Sequence, residues 1–243
     1  MAIQSPLGAR PTVAALLTLT AVTGLVDAVS YLRLGRVFVA NMTGNVVFLG
    51  FSADPHSGLS AAASVIAIAG FVLGALAGGR AAHTLASARP AHWLAAAFGA
   101  EAFILGMVAV LAGTGLLPWA GPGRFATIAV LAAALGVQNS TVRHLGAPDL
   151  TTTVLTLTLT GLTADSALAR GPGARPHRRL GSVAGMLAGA AAGAGLLQWS
   201  PDAVIALAAG LVAVVAGTFL AAALPRRARA EVPAPRTAAP AHA

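Results

Sequence analysis

The residues best suited to chemistry in this chain lie in the run GLVDAVSYLRLGRVFVANMTGNVVFLG, from Gly24 to Gly50. Asp27 and Tyr31 stand four residues apart, so on a helix they share one face. The surrounding residues are almost all apolar, and an ionisable group there is expensive unless it faces protein or water. The pair therefore reads as one polar stripe turned inward. Asn41, Thr43, Gly44 and Asn45 follow, with two amides, a hydroxyl and a glycine able to break a helix. Backbone groups freed by such a break must be satisfied by side-chain amides or by a bound solute. The chemistry this spells is recognition of a small solute or ion. Against it stands the plainer reading that Asn41 and Asn45, also four apart, tie a short segment to its neighbours.

A second polar constellation, GVQNSTVRHLGAPDLTTTV, runs from Gly136 to Val154. Gln138 and Asn139 fall where Val26 and Asp27 fall in the first, and Thr152 falls against Asn41. A threonine hydroxyl can bond its own helix four residues back, so these threonines also have a purely local use. Two further groups rank behind these. Glu101 lies inside an apolar segment as a candidate proton or cation site, and Arg143 is a candidate counter-charge for Asp27 or for an anionic solute. The histidines show no HExxH or i to i+4 pairing, the chain has no cysteine, and no metal site or cofactor is expected. GxSxG, GxxxxGK[ST] and GxGxxG signatures are also missing, so the chain does not read as an enzyme.

The elements that must position these residues are membrane helices. The 243 residues are 57% hydrophobic and only 9% charged, with a mean hydropathy of +0.80. A soluble domain carries about a quarter charged residues. The net charge is +8, yet the arginines sit between apolar runs, which speaks for membrane topology and against nucleic acid. Cutting at Arg, Pro and Asp clusters leaves eight segments: 12–32, 37–53, 59–79, 93–117, 124–142, 150–167, 180–199 and 203–224. The second and sixth are shorter and more polar. Tryptophans 93, 119 and 199 stand at segment ends, where indoles anchor at the membrane interface.

Sliding the chain on itself by 111 or 112 positions aligns GFSAD at Gly50–Asp54 with GLTAD at Gly161–Asp165. It also aligns the ladder Gly70, Gly74, Gly78 with Gly181, Gly185, Gly189. The chain therefore reads as two copies of a four-segment unit. With eight spans and an inside N-terminus, the arginines split ten inside to five outside. If segments two and six are re-entrant or half-helices, the split becomes twelve to three, which the positive-inside rule favours. Each unit then has an odd number of spans, so the second is inverted, the plan of many secondary transporters. The expectation is an all-α integral membrane protein with six transmembrane helices and two short re-entrant segments in two inverted repeats; eight spans in parallel repeats is the alternative.

The two constellations resemble the YoaK family of bacterial inner-membrane proteins, a group known mainly as a domain of unknown function with about six spans. Asp27, Tyr31, Gly35, Phe38, Asn41, Thr43, Gly44 and Asn45 all match its first motif. Val154–Leu157 reads VLTL where that family commonly shows a glycine-containing VTGT-like run, which weakens the case for a helix break in segment six. The resemblance implies membrane location and an uncharacterised, transport-related role, with no substrate.

These readings divide the chain into a cytoplasmic tail (1–11), a first membrane repeat (12–117), a second (124–224) and a disordered cytoplasmic tail (225–243). The function expected is small-solute or ion transport across the bacterial inner membrane, both termini cytoplasmic, with Asp27, Tyr31, Asn41, Thr43, Gly44 and Asn45 facing Gln138, Asn139 and Thr152. A membrane scaffold or assembly factor is the second reading and an intramembrane enzyme a distant third. The partners expected are the lipid bilayer and the solute. The smooth glycine faces also offer a surface for a second copy of the chain.

Overall fold

A computed structural model describes residues 5–146, 155–165 and 176–224. Thr152 and the tail 225–243 lie outside them. The described residues form eight helices: α1 (Ala9–Arg33), α2 (Met42–Phe51), α3 (Ala61–Leu85), α4 (Pro90–Gly113), α5 (Arg124–Leu145), α6 (Leu155–Ala164), α7 (Pro176–Leu196) and α8 (Pro201–Ala223). Local chemistry sets most of the boundaries. Ser60 and Ser200 cap α3 and α8 by accepting from the amides of Ala63 and Ala203, at 3.2 and 3.0 Å. Pro90 and Pro201 open α4 and α8, where a missing N–H costs nothing. Gly146, at φ 60°, closes α5 in the left-handed conformation.

α1, α3, α4, α5 and α8 are long and apolar enough to cross a membrane. α7 has the length, at 21 residues, but its glycines and Arg178 and Arg179 make it less apolar. α2, at ten residues, reaches about 15 Å, half of a ~30 Å hydrocarbon core, and α6 is described over ten residues. α2 starts later than the expected 37, because Val37–Ala40 belong to the chain that turns back from α1. Nor does Gly44 break a helix: it lies within α2, with its Cα against the Phe38 ring.

The glycine ladders decide how the long helices pair. A Cβ on Gly70, Gly74 or Gly78 would run into the α5 residues Ala129, Ala133 or Ser140, so α3 and α5 lie side by side in the same direction. Gly185, Gly189 and Gly193 of α7 meet Leu17, Ala21 and Leu25 in the same way, so α7 runs parallel to α1. Both ladders thus pack against helices of their own chain, with Gly70, Gly74, Gly78 and Gly189 buried there. Their mutual approach gives the close backbone packing that holds apolar helices together without a hydrophobic driving force.

α4 and α8 cross in opposite directions, with Phe98 against Phe219 at 5.7 Å and Gly113 beside Asp202. α1 also packs on α8, α4 on α5, α2 on α3 and α6 on α7. Exchanging α1–α4 for α5–α8 maps this set of pairings onto itself. One end of the bundle gathers Arg33, whose Nη2 donates to the Leu197 carbonyl at 3.0 Å, and Arg124, whose guanidinium covers Gly35. The other end gathers His83, His144 and Trp93, with the two imidazoles 5.1 Å apart and Trp93 6.3 Å from His144. Trp93 is therefore buried in this junction rather than presented to the interface.

Candidate functional site

α1 ends at Arg33, and Gly35, at φ 97°, turns the chain back toward the bundle. A side chain there would be strained and would press on Arg124. The returning strand passes Asp27, about six residues or 9 Å inside the end of α1. The Oδ1 of Asp27 accepts from the amides of Val39 and Ala40, both at 3.0 Å. Asn45 fastens the same segment from the other side. Its Oδ1 accepts from the Phe38 amide at 2.9 Å and its Nδ2 donates to the Phe38 carbonyl at 2.6 Å. These bonds replace the ladder that extended backbone would otherwise lack, and they launch α2 back toward the Arg33 end.

The second oxygen of Asp27, Oδ2, is buried and has no partner among the described residues. Asp27 is 4% exposed and forms part of the wall of a cleft of about 290 Å³ between α1, the turn-back segment and α7. Tyr31, Phe38 and Asn41 share that wall, and Met186 and Ala190 supply it from α7. The Tyr31 and Phe38 rings stack at 5.1 Å, and Phe48 backs them at 5.6 Å from Phe38 and 6.0 Å from Tyr31. Asn41 caps no α2 amide with its side chain, which leaves its amide to the cleft.

The structure thus brings together Asp27, Tyr31 and Asn41 from the expected set. Asn45 ties the turn, Gly44 receives the Phe38 ring, and Thr43 is exposed. Gln138 is buried elsewhere, donating from Nε2 to the Thr23 hydroxyl at 3.1 Å. Asn139 bonds the Leu135 carbonyl of its own helix at 2.9 Å. Neither Gln138 nor Asn139 lines the cleft that holds Asp27. Arg143 is not a counter-charge for Asp27: it is exposed at the His144 end, about 28 Å along α5 from the Arg124 that covers Gly35.

Glu101 is 1% exposed near the middle of α4, and neither carboxyl oxygen has a partner among the described residues. It therefore forms no dyad with Asp27. Asp165 is also engaged elsewhere, accepting from Arg179 Nη1 at 2.7 Å. The residues that sequence reasoning missed are Phe38 as a wall, Phe48 behind it, and Met186 and Ala190 across from them. Only Phe38 carried a signal, as part of the first motif.

Long apolar helices around buried polar groups define an all-α integral membrane protein. A family model described as "Protein of unknown function (DUF1275)" matches residues 15–218, and the chain belongs to that family. It is similar to the UPF0700 transmembrane protein YoaK of Bacillus subtilis (strain 168), 35% identical over 161 residues that cover 64% of this chain and 67% of that protein. The resemblance carried by the first motif is borne out. No solved structure matches the chain.

Proposed function

We propose that this multi-pass protein is a small-solute or ion transporter of the bacterial inner membrane, with its site where α1 and the turn-back segment of one half meet α7 of the other. The observation that carries the reading is the half-used carboxylate of Asp27, a residue of the cleft wall: one oxygen is fixed by two amides, and the other is buried with no partner among the described residues. A buried acid in a membrane helix is costly and marks ion or substrate paths.

The helix directions support an inverted repeat. α1 runs with α7 and α3 with α5, while α4 opposes its counterpart α8. α2 is too short to cross; with α6 as its counterpart, each half contributes three spans, the plan of many inverted-repeat transporters. Arg10, Arg80, Arg89, Arg143, Arg178 and Arg179 gather at the His144 end against Arg33, Arg36 and Arg124 at the other, which supports a cytoplasmic His144 end.

The test uses the absence of cysteine from the chain. Ala190→Cys places one thiol in the cleft wall, and a membrane-impermeant thiol reagent is applied to right-side-out and inside-out vesicles. A transporter exposes the site to each side in turn, so labelling is expected from both. Labelling from one side alone overturns the transport reading.

A scaffold is the second reading, favoured by the fact that Asn45, Gln138 and Asn139 are all engaged in bonds to backbone or to another helix. It predicts no labelling of Ala190→Cys from either side.

A further inference from the structure

We infer that the cleft between α1, the turn-back segment and α7 takes an organic cation, an ammonium group carried on an apolar body; this rests on the reading of the cleft as a solute site.

The lining chemistry leaves few other choices. Among the described residues, Asp27 is the one charged side chain in the wall, and no arginine, lysine or histidine joins it. An anion would bring its charge beside that carboxylate with no cation to offset it. A sugar would need a hydrogen-bonding partner for each hydroxyl, and among the described residues the polar side chains of the wall are those of Asp27, Asn41 and Tyr31. Calcium takes six to eight oxygen ligands, more than these three side chains supply.

An ammonium fits the groups that are present. Its N–H donors suit Oδ2 of Asp27, which has no partner among the described residues, and the Asn41 carbonyl oxygen. Tyr31 and Phe38, stacked on each other, both line the cleft, and an aromatic ring attracts a cation lying within about 6 Å of its face, more strongly once water is excluded. Ala28, Leu32, Met186 and Ala190 supply the apolar remainder, and a thioether adapts readily to a ligand's shape. At about 290 Å³ the cleft stands at the small end of ligand pockets, which limits the body to one ring or a short chain.

The role of Oδ1 makes a clean test available. In Asp27→Asn the side-chain carbonyl oxygen can still accept from the amides of Val39 and Ala40, so the turn is retained while the charge and the free acceptor are lost. The purified full chain in phosphatidylcholine nanodiscs is titrated calorimetrically at pH 7 with three probes of one shape: 2-phenylethylammonium, neutral 2-phenylethanol and anionic phenylacetate. The ammonium is expected to bind at least tenfold more tightly than the alcohol, and phenylacetate not at all. Asp27→Asn, with its melting temperature checked, is expected to lose at least tenfold for the ammonium and little for the alcohol. Phe38→Leu is expected to weaken the ammonium several-fold, and it keeps the question open to experiment should Asp27→Asn fail to fold.

Equal affinity for ammonium and alcohol, ammonium binding unchanged in a folded Asp27→Asn, or no binding of any probe would each overturn the assignment. Two-sided labelling of Ala190→Cys alongside any of these results would leave transport standing and remove only the cation class. Labelling from one side or neither would remove the transport reading itself.

Discussion

The carboxylate of Asp27 and the backbone amide of Ala40 meet at 3.0 Å, joining a membrane helix to the chain that has just left it. Val39 makes the same bond to the same oxygen. One side chain thereby holds the α1–α2 connection folded back within the bundle, and Asn45 holds it from α2.

This contact predicts opposite outcomes for two substitutions at one position. Asp27→Ala leaves two buried amides without an acceptor, at about 1–3 kcal/mol each, so unfolding in mixed lipid–detergent micelles should register a loss of roughly 2–6 kcal/mol. Asp27→Asn should fall within about 1 kcal/mol of the parent, because one accepting oxygen is retained. Equal losses in the two variants would show that the charge, and not the acceptor, holds the turn.

The glycines of α3 divide by what faces them. A Cβ at Gly74 would collide with the carbonyl of Ala133, while one at Gly79 meets nothing within 4 Å. Gly74→Ala should force α3 away from α5 and cost about 1–3 kcal/mol, as overpacking does. Gly79→Ala should be neutral or gain about 0.5–1 kcal/mol from restricting the unfolded chain. Comparable thermal stabilities for the two variants would contradict the parallel α3–α5 packing.

Gln138 and Thr23 link the two halves through one hydrogen bond of 3.1 Å between buried groups. A double-mutant cycle with Gln138→Leu and Thr23→Val should return a coupling of about 0.6 kcal/mol, up to roughly 1.7, the range of hydrogen bonds between membrane helices. Strictly additive losses would show that this bond contributes nothing to holding α5 against α1.

Glu101 gives the prediction with the reverse sign. Its carboxyl is buried, with no partner among the described residues, so Glu101→Leu removes an unsatisfied polar group and should raise stability by about 1–3 kcal/mol. A melting temperature that falls would mean that the carboxyl is satisfied in the membrane, by a water or an ion. Glu101→Gln, close in volume, serves as the reference for packing.

Much of the architecture is legible in the chain itself. With 9% charged residues no water-facing surface can be built, so burial in lipid follows from composition. The period-four glycines announce two close helix contacts. The expectation that segment two is too short to span agrees with a helix of ten residues. These are local properties, and each can be read from a window of a few turns.

The site was legible only in part. Asp27, Tyr31 and Asn41 share the cleft as their spacing suggests, but Gln138 donates to Thr23 and Asn139 to the Leu135 carbonyl, and Arg143 stands at the far end of α5. An amide in an apolar helix can bond its own backbone or any polar group that packing brings near, at similar free energy. Sequence gives the capacity for a bond and leaves the partner open. The partner is fixed by which helices cross and in which direction, and that was decided by backbone contacts such as Gly74 on Ala133 and Gly189 on Ala21, between residues far apart in the chain. The turn of Val37–Ala40 onto Asp27 has the same origin: apolar residues carry no mark of the acceptor their amides will find, and only the folded bundle put it there.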